Sequence, residues 1–287
     1  MLLLRRFAPA SMLDAGVRKD LRLDTTASPS RNATVAQPTH RRATIMKAFL
    51  LDRYAKDSSL RLADMPQPVP GDDEVLVEIH AAGVNPLDSK LKSGELKLIL
   101  PYRLPLIAGH DLAGVVVGVG PRVRQFSIGD EVYARAPDSH IGSFAEYIAI
   151  REDAVASMPK SLSMEDAASL PLVAMTAWQA LVEKAKLKKG QKVFIQAGSG
   201  GVGTFAIQLA KQLGATVATT TSTANVDWVK RLGADVVIDY KQDDFENILR
   251  DYDVVLNSQD GKTLEKSPRN LKPGGQLISL SGPPDPD

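Results

Sequence analysis

The stretch Gln191–Lys211, QKVFIQAGSGGVGTFAIQLAK, constrains the fold more than any other part of the chain. An apolar run, KVFIQA, suits a buried strand. It is followed by Gly198, Gly200, Gly201 and Gly203, and then by TFAIQLAKQLG, which has the spacing of an amphipathic helix. Strand, glycine turn and helix in that order open a βαβ unit. The glycines fit G-x-G-x-x-G, a weak signal alone that becomes specific between a strand and a helix. Across Gly198, Ser199, Gly200, Gly201, Val202 and Gly203 a largely side-chain-free backbone can approach a pyrophosphate, and the free N–H groups of the helix's first turn can face it. An ordinary tight turn rarely needs four glycines in six positions, so a dinucleotide site is the stronger reading.

The rest of the C-terminal half repeats the alternation. After KVFIQA come TVATTT, VVIDY, DVVLNS and QLISL, separated by runs of helical spacing at 203–213, 225–232, 243–250 and 261–270. This predicts right-handed crossovers and a parallel sheet of five strands, one short of a full dinucleotide fold. Before it, SMEDAASLPLVAMTAWQALVEKAKL reads as two helical pieces. Ser163 with Asp166 resembles a capping box, and Pro171 starts the second piece.

Between Met46 and about Asp153 the pattern is β. KAFLLDRY, LRLADM, EVLVEIHAAGV, DLAGVVVGVG, DEVYARA and FAEYIAI are short Val-, Ile- and aromatic-rich runs divided by Pro, Gly and Asp turns. In EVLVEIHA, Val75, Val77 and Ile79 alternate with Leu76, Glu78 and His80, which suits one better-buried face. DLAGVVVGVG lacks polar alternation, so both faces are expected to be covered. A compact β-barrel-like domain follows. The expected division is an extension over 1–45, a β domain over 46–162 and a nucleotide domain over 163–287.

Residues 1–45 have no sustained apolar period and are expected to be disordered. They hold eight Lys/Arg against three Asp, leaving −4 on the remainder of a chain whose net charge is +1. Nothing in that balance calls for a nucleic-acid partner. MLLLRRFAPASML has the Arg and Leu content of an organelle-targeting segment, but Asp14, Asp20 and Asp24 are unusual in one. An extension ahead of Met46 and a cytoplasmic location are preferred, with organelle targeting as the alternative. Asn32-Ala33-Thr34 fits a glycosylation sequon without other signs of secretion. The 287 residues include no cysteine, which removes disulfides, thiolate nucleophiles and cysteine-ligated metal together. No apolar run approaches the roughly 18 residues that cross a bilayer.

With these residues in view, Gly190–Lys211 resembles the signature of the quinone oxidoreductase and zeta-crystallin branch of the medium-chain dehydrogenases/reductases, with Phe194 replacing the usual Leu. AGVNPLDSKLKSG (82–94), LPLIAGHDLAGVVVGVG (104–120), GDEVYA (129–134), GSFAEY (142–147) and PLVAMTAWQAL (171–181) extend the likeness from Met46 onward. It implies a GroES-like catalytic domain joined to a Rossmann domain, with the active site in the cleft between them. The family continues further at its C-terminus, completing the sheet and supplying the edge through which subunits pair. This sequence lacks that part, so a family-type homodimer is not expected.

Zinc enzymes of the wider superfamily carry a Cys in the segment matching AGVNPLD and His-Glu in that matching GHDLAG. This sequence has Asn85 and Asp111 at those places and retains His110 alone, so no zinc site is expected. A carbonyl must then be polarised by hydrogen bonds. Asn85 can offer its amide, Asp88 lies three residues on, and Tyr102 is a further donor. Their local readings are turn, cap and loop aromatic. The strand ending Thr219-Thr220-Thr221-Ser222 carries no acid to hold a ribose 2′-OH, which favours NADPH over NADH. The resemblance places Ser222, Asn225 and Tyr240 near the 2′-phosphate, although family members often have Lys where Asn225 stands. It places Thr176 near the nicotinamide. The leading expectation is a zinc-independent NADPH-dependent reductase of quinones or of the C=C of α,β-unsaturated carbonyls. The alternative is a crystallin-like NADPH-binding protein with weak turnover or none.

Overall fold

The computed structural model describes residues 44–259 and 261–282, together with the backbone of Leu23 and Asp24. The targeting reading, the sequon and almost all of the expected extension fall outside the described residues. Two compact units divide the rest, one ending at Leu172 and one beginning at Val173.

In the first unit, nine strands sort into two sheets. Four strands form one sheet in the order β1-β3-β2-β5. They are β1 (Leu23–Asp24), β2 (Ile45–Leu51), β3 (Leu60–Pro66) and β5 (Leu106–Ile107). A five-stranded sheet in the order β8-β4-β6-β7-β9 holds β4 (Glu74–Gly83), β6 (Asp111–Val119), β7 (Glu131–Arg135), β8 (Tyr147–Arg151) and β9 (Val155–Ser157). Its pairings are antiparallel throughout. Val75, Val77, Leu112, Val116, Val132, Ile148 and Ile150 make one buried cluster, the inward face that strand alternation supplies. The first four residues of β6 are all buried, as a run without polar alternation requires. Helix α1 (Pro86–Ser93) leaves the end of β4 with Pro86 in its first turn, where the missing N–H costs nothing. Helix α2 (Met164–Ala168) starts at Ser163, whose side chain accepts the Asp166 N–H at 3.1 Å.

The second unit is a parallel sheet with strand order β12-β11-β10-β13-β14, which is 3-2-1-4-5 in chain order and matches five strands of the 3-2-1-4-5-6 Rossmann order. Its strands are β10 (Lys192–Ile195), β11 (Thr216–Thr221), β12 (Val236–Asp239), β13 (Tyr252–Asn257) and β14 (Leu271–Ser279). Between them run α4 (Gly201–Gln212), α5 (Val226–Arg231), α6 (Phe245–Ile248) and α7 (Lys262–Lys266). Helix α3 (Pro171–Trp178) precedes the sheet and continues as a π-helical turn, Gln179–Lys184. The sheet is buried on both faces. Val193, Ile195, Val217, Val254 and Leu256 face one cluster, and Phe194, Ala218, Ile238 and Val255 face the other. Phe194 is fully buried, with ring centroids 5.3 Å from Phe245 and 6.1 Å from Tyr252, so an aromatic fills this layer.

The helices after β12 and β13 are shorter than the sequence spacing predicts. In place of 243–250 there is one helical turn, and 261–270 splits into α7 and a 3₁₀ turn at Ser267–Asn270. Pro268 explains the split, because it lacks the N–H that a continuing α-helix needs.

Candidate functional site

The turn between β10 and α4 reverses at Ala197, which has a φ of 53°. None of its four glycines is left-handed, and Gly200 has φ −79° and ψ 171°. The glycines divide into two roles. A Cβ on Gly198 would lie 2.1 Å from Thr219 Oγ1, and one on Gly203 would lie 2.3 Å from the Ala197 carbonyl oxygen. These two let the helix sit against the strands. A Cβ on Gly200 would meet only the Ala197 oxygen, at 3.3 Å, and one on Gly201 would come within 3.0 Å of Val173 Cγ1. Gly200 thus adds no side chain at the cap of α4, while Gly201 lies close against the Val173 side chain.

Gly200 caps α4 without a side-chain hydrogen bond, and Thr204 N–H to Gly200 O, 2.9 Å, is the bond that opens the ladder. The N–H groups of Gly201, Val202 and Gly203 precede that ladder, as at any helix start. A dinucleotide's pyrophosphate fits such a cradle, because the donors and the positive end of the helix dipole converge where no side chain intrudes.

The end of β11 gathers small polar groups beside this turn. Thr221 Oγ1 donates to Ser199 Oγ at 3.0 Å, and Asn225 Nδ2 reaches Ser199 Oγ at 3.4 Å and Ser222 Oγ at 3.3 Å. Tyr240 is exposed, and its N–H bonds the Thr221 carbonyl at 3.1 Å. Asp239 is the residue that sequence reading missed. Strand pairing sets it opposite Thr221, so the strand end has a carboxylate beside it after all. A hydrogen bond from Thr223 holds that carboxyl below its usual range, and Lys241 N–H and Gln242 Nε2 also donate to it. Thr176 lies half-buried on α3.

In the first unit a buried polar chain forms around the start of α1. Asn85 is the N-cap, and its N–H donates to Asp88 Oδ2 at 2.8 Å. The other Asp88 oxygen lies 2.6 Å from His110 Nδ1, with both side chains essentially excluded from solvent. Asn85 Nδ2 donates to Asp111 Oδ2 at 3.0 Å, and the Leu172 N–H sits 3.1 Å from each Asp111 oxygen. Asp111 thus serves the first turn of α3 as well as Asn85. Across the ladder stands Gly83, whose Cβ would lie 3.0 Å from Asp111 Cβ and 2.4 Å from the Ala168 oxygen. Any side chain there would displace this arrangement.

Burial pushes the Asp111 carboxyl up to about 7, against the pull of the Asn85 and Leu172 hydrogen bonds. His110 Nε2 is buried without a partner, and the Asp138 carboxylate stays 3.9 Å away, paired with Arg135. Tyr102 packs with Leu51, Leu60, Leu91 and Phe144. Its Oη is buried and unpartnered, and desolvation, helped by the charge of Asp138, pushes the phenol up to about 12. Asn85 and Asp88 are therefore brought together, and no hydrogen bond joins Tyr102's hydroxyl to them. The resemblance groups Asn85, His110 and Asp111 through the zinc positions of the wider superfamily, whereas the hydrogen bonds that join them, and the Leu172 N–H on Asp111, are not visible in the sequence.

Comparison with known proteins covers both units. Residues 71–160 match the alcohol dehydrogenase GroES-like domain family, and residues 201–287 match the family described as zinc-binding dehydrogenase. The chloroplastic NADPH-dependent alkenal/one oxidoreductase of Arabidopsis thaliana is 37% identical over 246 residues, 83% of this chain and 63% of that one. The chain thus spans under two thirds of that relative's length. The chloroplastic quinone-oxidoreductase homolog of Spinacia oleracea is 36% identical over 252 residues, 84% of this chain and 77% of that protein. The solved quinone oxidoreductase from Coxiella burnetii is 38% identical with a TM-score of 0.76, covering 82% of this chain and 75% of the other. By sheet order, by the bare cap of α4 and by identity running through both units, the chain belongs to the quinone oxidoreductase and zeta-crystallin branch of the medium-chain dehydrogenases/reductases.

Proposed function

We propose that this protein is an NADPH-dependent oxidoreductase acting on quinones or on the C=C of α,β-unsaturated carbonyls. The observation that carries the reading is the cap of α4, where Gly200 and Gly201 keep side chains away from the N–H groups of the helix's first turn. Gly198–Gly203 would hold the pyrophosphate, with Gly198 and Gly203 setting the strand-to-helix distance. Ser222, Asn225 and Tyr240 would surround the 2′-phosphate, beside Ser199 and Thr221. The Asp239 carboxylate stays ionised beside Thr221, held by Thr223, Lys241 N–H and Gln242, so the preference for NADPH rests on the absence of an acid at the end of β11 itself. We assign Thr176 to the nicotinamide. When bound, NADPH supplies the hydride.

The remaining work belongs to the first unit's polar groups. An acceptor oxygen gains negative charge during reduction and needs a hydrogen-bond donor that is already oriented. Asn85 fits this role because its backbone and side chain are each tied, by Asp88 and Asp111. Tyr102 offers a neutral phenol across the physiological range, since its pKa is near 12. The names of the relatives support the acceptor class: one is an alkenal/one oxidoreductase and another a quinone oxidoreductase.

The test is a screen of quinones and enones following NADPH absorbance, with NADPH and NADH affinities measured alongside by fluorescence. Tight NADPH binding with acceptor-dependent oxidation is expected. NADPH binding with no oxidation by any acceptor would select the crystallin-like alternative, and no NADPH binding would reject both.

A further inference from the structure

Among the described residues of the first unit, three buried side-chain atoms have no hydrogen-bond partner: Tyr102 Oη, His110 Nε2 and Ser143 Oγ. A buried donor or acceptor left unmet is costly, so three in one corner need a shared partner. One corner holds them. Tyr102 packs in the cluster that contains Ala108 and Phe144. Ala108 and Gly109 lead into His110, and they receive the Phe144 N–H at 2.9 Å and the Ser143 N–H at 3.2 Å on their carbonyls. A Cβ on Gly109 would lie 2.4 Å from Ser143 Oγ, so glycine, here at φ 98°, lets that hydroxyl sit against the chain beside His110. Two carboxylates flank the imidazole, Asp88 at 2.6 Å from Nδ1 and Asp138 at 3.9 Å from Nε2. After desolvation, both also oppose ionisation of the Tyr102 phenol.

The three atoms complement one another. An ionised carboxylate only accepts hydrogen bonds, and Asp88 takes the Asn85 N–H on its other oxygen, so Nδ1 of His110 carries a proton. Nε2 is then the nitrogen that gains or loses one. Tyr102 and Ser143 bring hydroxyls, which both donate and accept. One water can meet all three, since a buried water typically makes roughly three hydrogen bonds.

We infer that Tyr102, His110 and Ser143 form a water-binding pocket through which the Asp88–His110 pair returns a proton to Tyr102. This rests on the proposed role of Tyr102 as donor to the acceptor. Hydride arriving at the β-carbon of an enone leaves an enolate, which takes one proton. The Tyr102 O–H bond breaks as the C–H bond at the α-carbon forms. The phenolate then takes a proton from the water, and the water takes one from the protonated Nε2 of His110. His110 is left neutral, with Nδ1–H still on Asp88. Solvent restores the Nε2 proton past the exposed Asp138 carboxylate. Each turnover thus uses one hydride from NADPH and one proton from solvent.

The experiment reduces a 2-substituted cyclic enone in D2O and reads by NMR which face of the α-carbon carries deuterium. Wild type should label one face. Tyr102→Phe removes the hydroxyl, so solvent should label both faces and kcat should fall about a hundredfold with KM little changed. His110→Asn offers an amide N–H to Asp88 in place of Nδ1–H and lacks Nε2. It should keep one-face labelling and the single-turnover hydride step, while steady-state turnover falls because the phenolate refills slowly. The double variant should be no slower than Tyr102→Phe, since a relay without its first member has nothing to refill. Histidine-labelled protein gives a readout that needs no turnover and no variant at 110: Tyr102→Phe should shift the His110 Nε2 resonance and leave Nδ1 in place. One-face labelling in Tyr102→Phe, wild-type turnover in His110→Asn, or an unmoved Nε2 resonance would overturn the inference. A shifted resonance in a protein that reduces no enone or quinone would leave the pocket standing and reject the proposed function. Enone reduction with the resonance unmoved would do the reverse.

Discussion

The two units build their polar sites by opposite means. The nucleotide unit removes side chains: Gly200 and Gly201 expose the backbone at one helix cap within a few residues of sequence. The first unit assembles side chains: Asn85 and Asp88 from the cap and first turn of α1, His110 and Asp111 from the entry to β6, with the Leu172 N–H from α3, lock together away from solvent. A backbone cradle tolerates changes nearby so long as no side chain enters it. An interlocked buried cluster does not, because each group left without its partner bears a desolvation penalty.

The largest expected effect breaks the nucleotide unit itself. Gly203→Val drives a branched side chain into the Ala197 carbonyl, 2.3 Å from the first added carbon, and lifts α4 from the sheet. A loss on the order of 5 kcal/mol, enough to unfold this unit, is expected from thermal or denaturant melting. Asp111 comes next. Its folded pKa of about 7 lies far above 3.8, so the native chain binds more protons than the unfolded one between those values. Stability from this group is present in full below pH 4, declines as pH rises to 7 and is flat above, a change of about 4 kcal/mol. Subtracting the Asp111→Asn melting curve from that of wild type should isolate it. An unchanged pH dependence would show that the carboxyl is not desolvated as described.

Smaller still, Gly200→Val should melt close to wild type yet bind NADPH about a hundredfold more weakly, near 3 kcal/mol. Equal damage from Gly200→Val and Gly203→Val would erase the distinction between cradle and packing glycines. Least of all, Ser222→Asp should shift preference towards NADH by about tenfold, roughly 1.4 kcal/mol, through repulsion of a 2′-phosphate and a new acceptor for a 2′-OH. Competitive titration of the two nucleotides would read it.

The same contrast explains what the sequence discloses. The β10–α4 turn is legible because strand, glycines and helix are contiguous, and five parallel strands follow from plain alternation. Asn85 and Asp88 are visible because they share one turn. Their link to Asp111 is 26 residues distant and that from Asp111 to Leu172 is 61, so it depends on how β4 and β6 pair. Asp239 escaped for the same reason: it follows Thr221 by a whole crossover yet stands opposite it in the sheet. The left-handed Ala197 was hidden too, since the neighbouring glycines seemed to supply the turn.

The proposed reaction is hydride transfer from NADPH held at the α4 cap, with the Asn85 cluster as hydrogen-bond donor to the acceptor. Its most direct measurement follows NADPH carrying deuterium at nicotinamide C4 with an α,β-unsaturated ketone or a quinone, in wild type and in Gly200→Val. Expected are slower turnover with the deuterated cofactor in wild type, deuterium at the β-carbon of the reduced ketone when that is the acceptor, and oxidation by Gly200→Val that falls about a hundredfold at limiting NADPH. NADPH that binds wild type and remains unoxidised with both acceptors, or oxidation that Gly200→Val leaves intact, would contradict it.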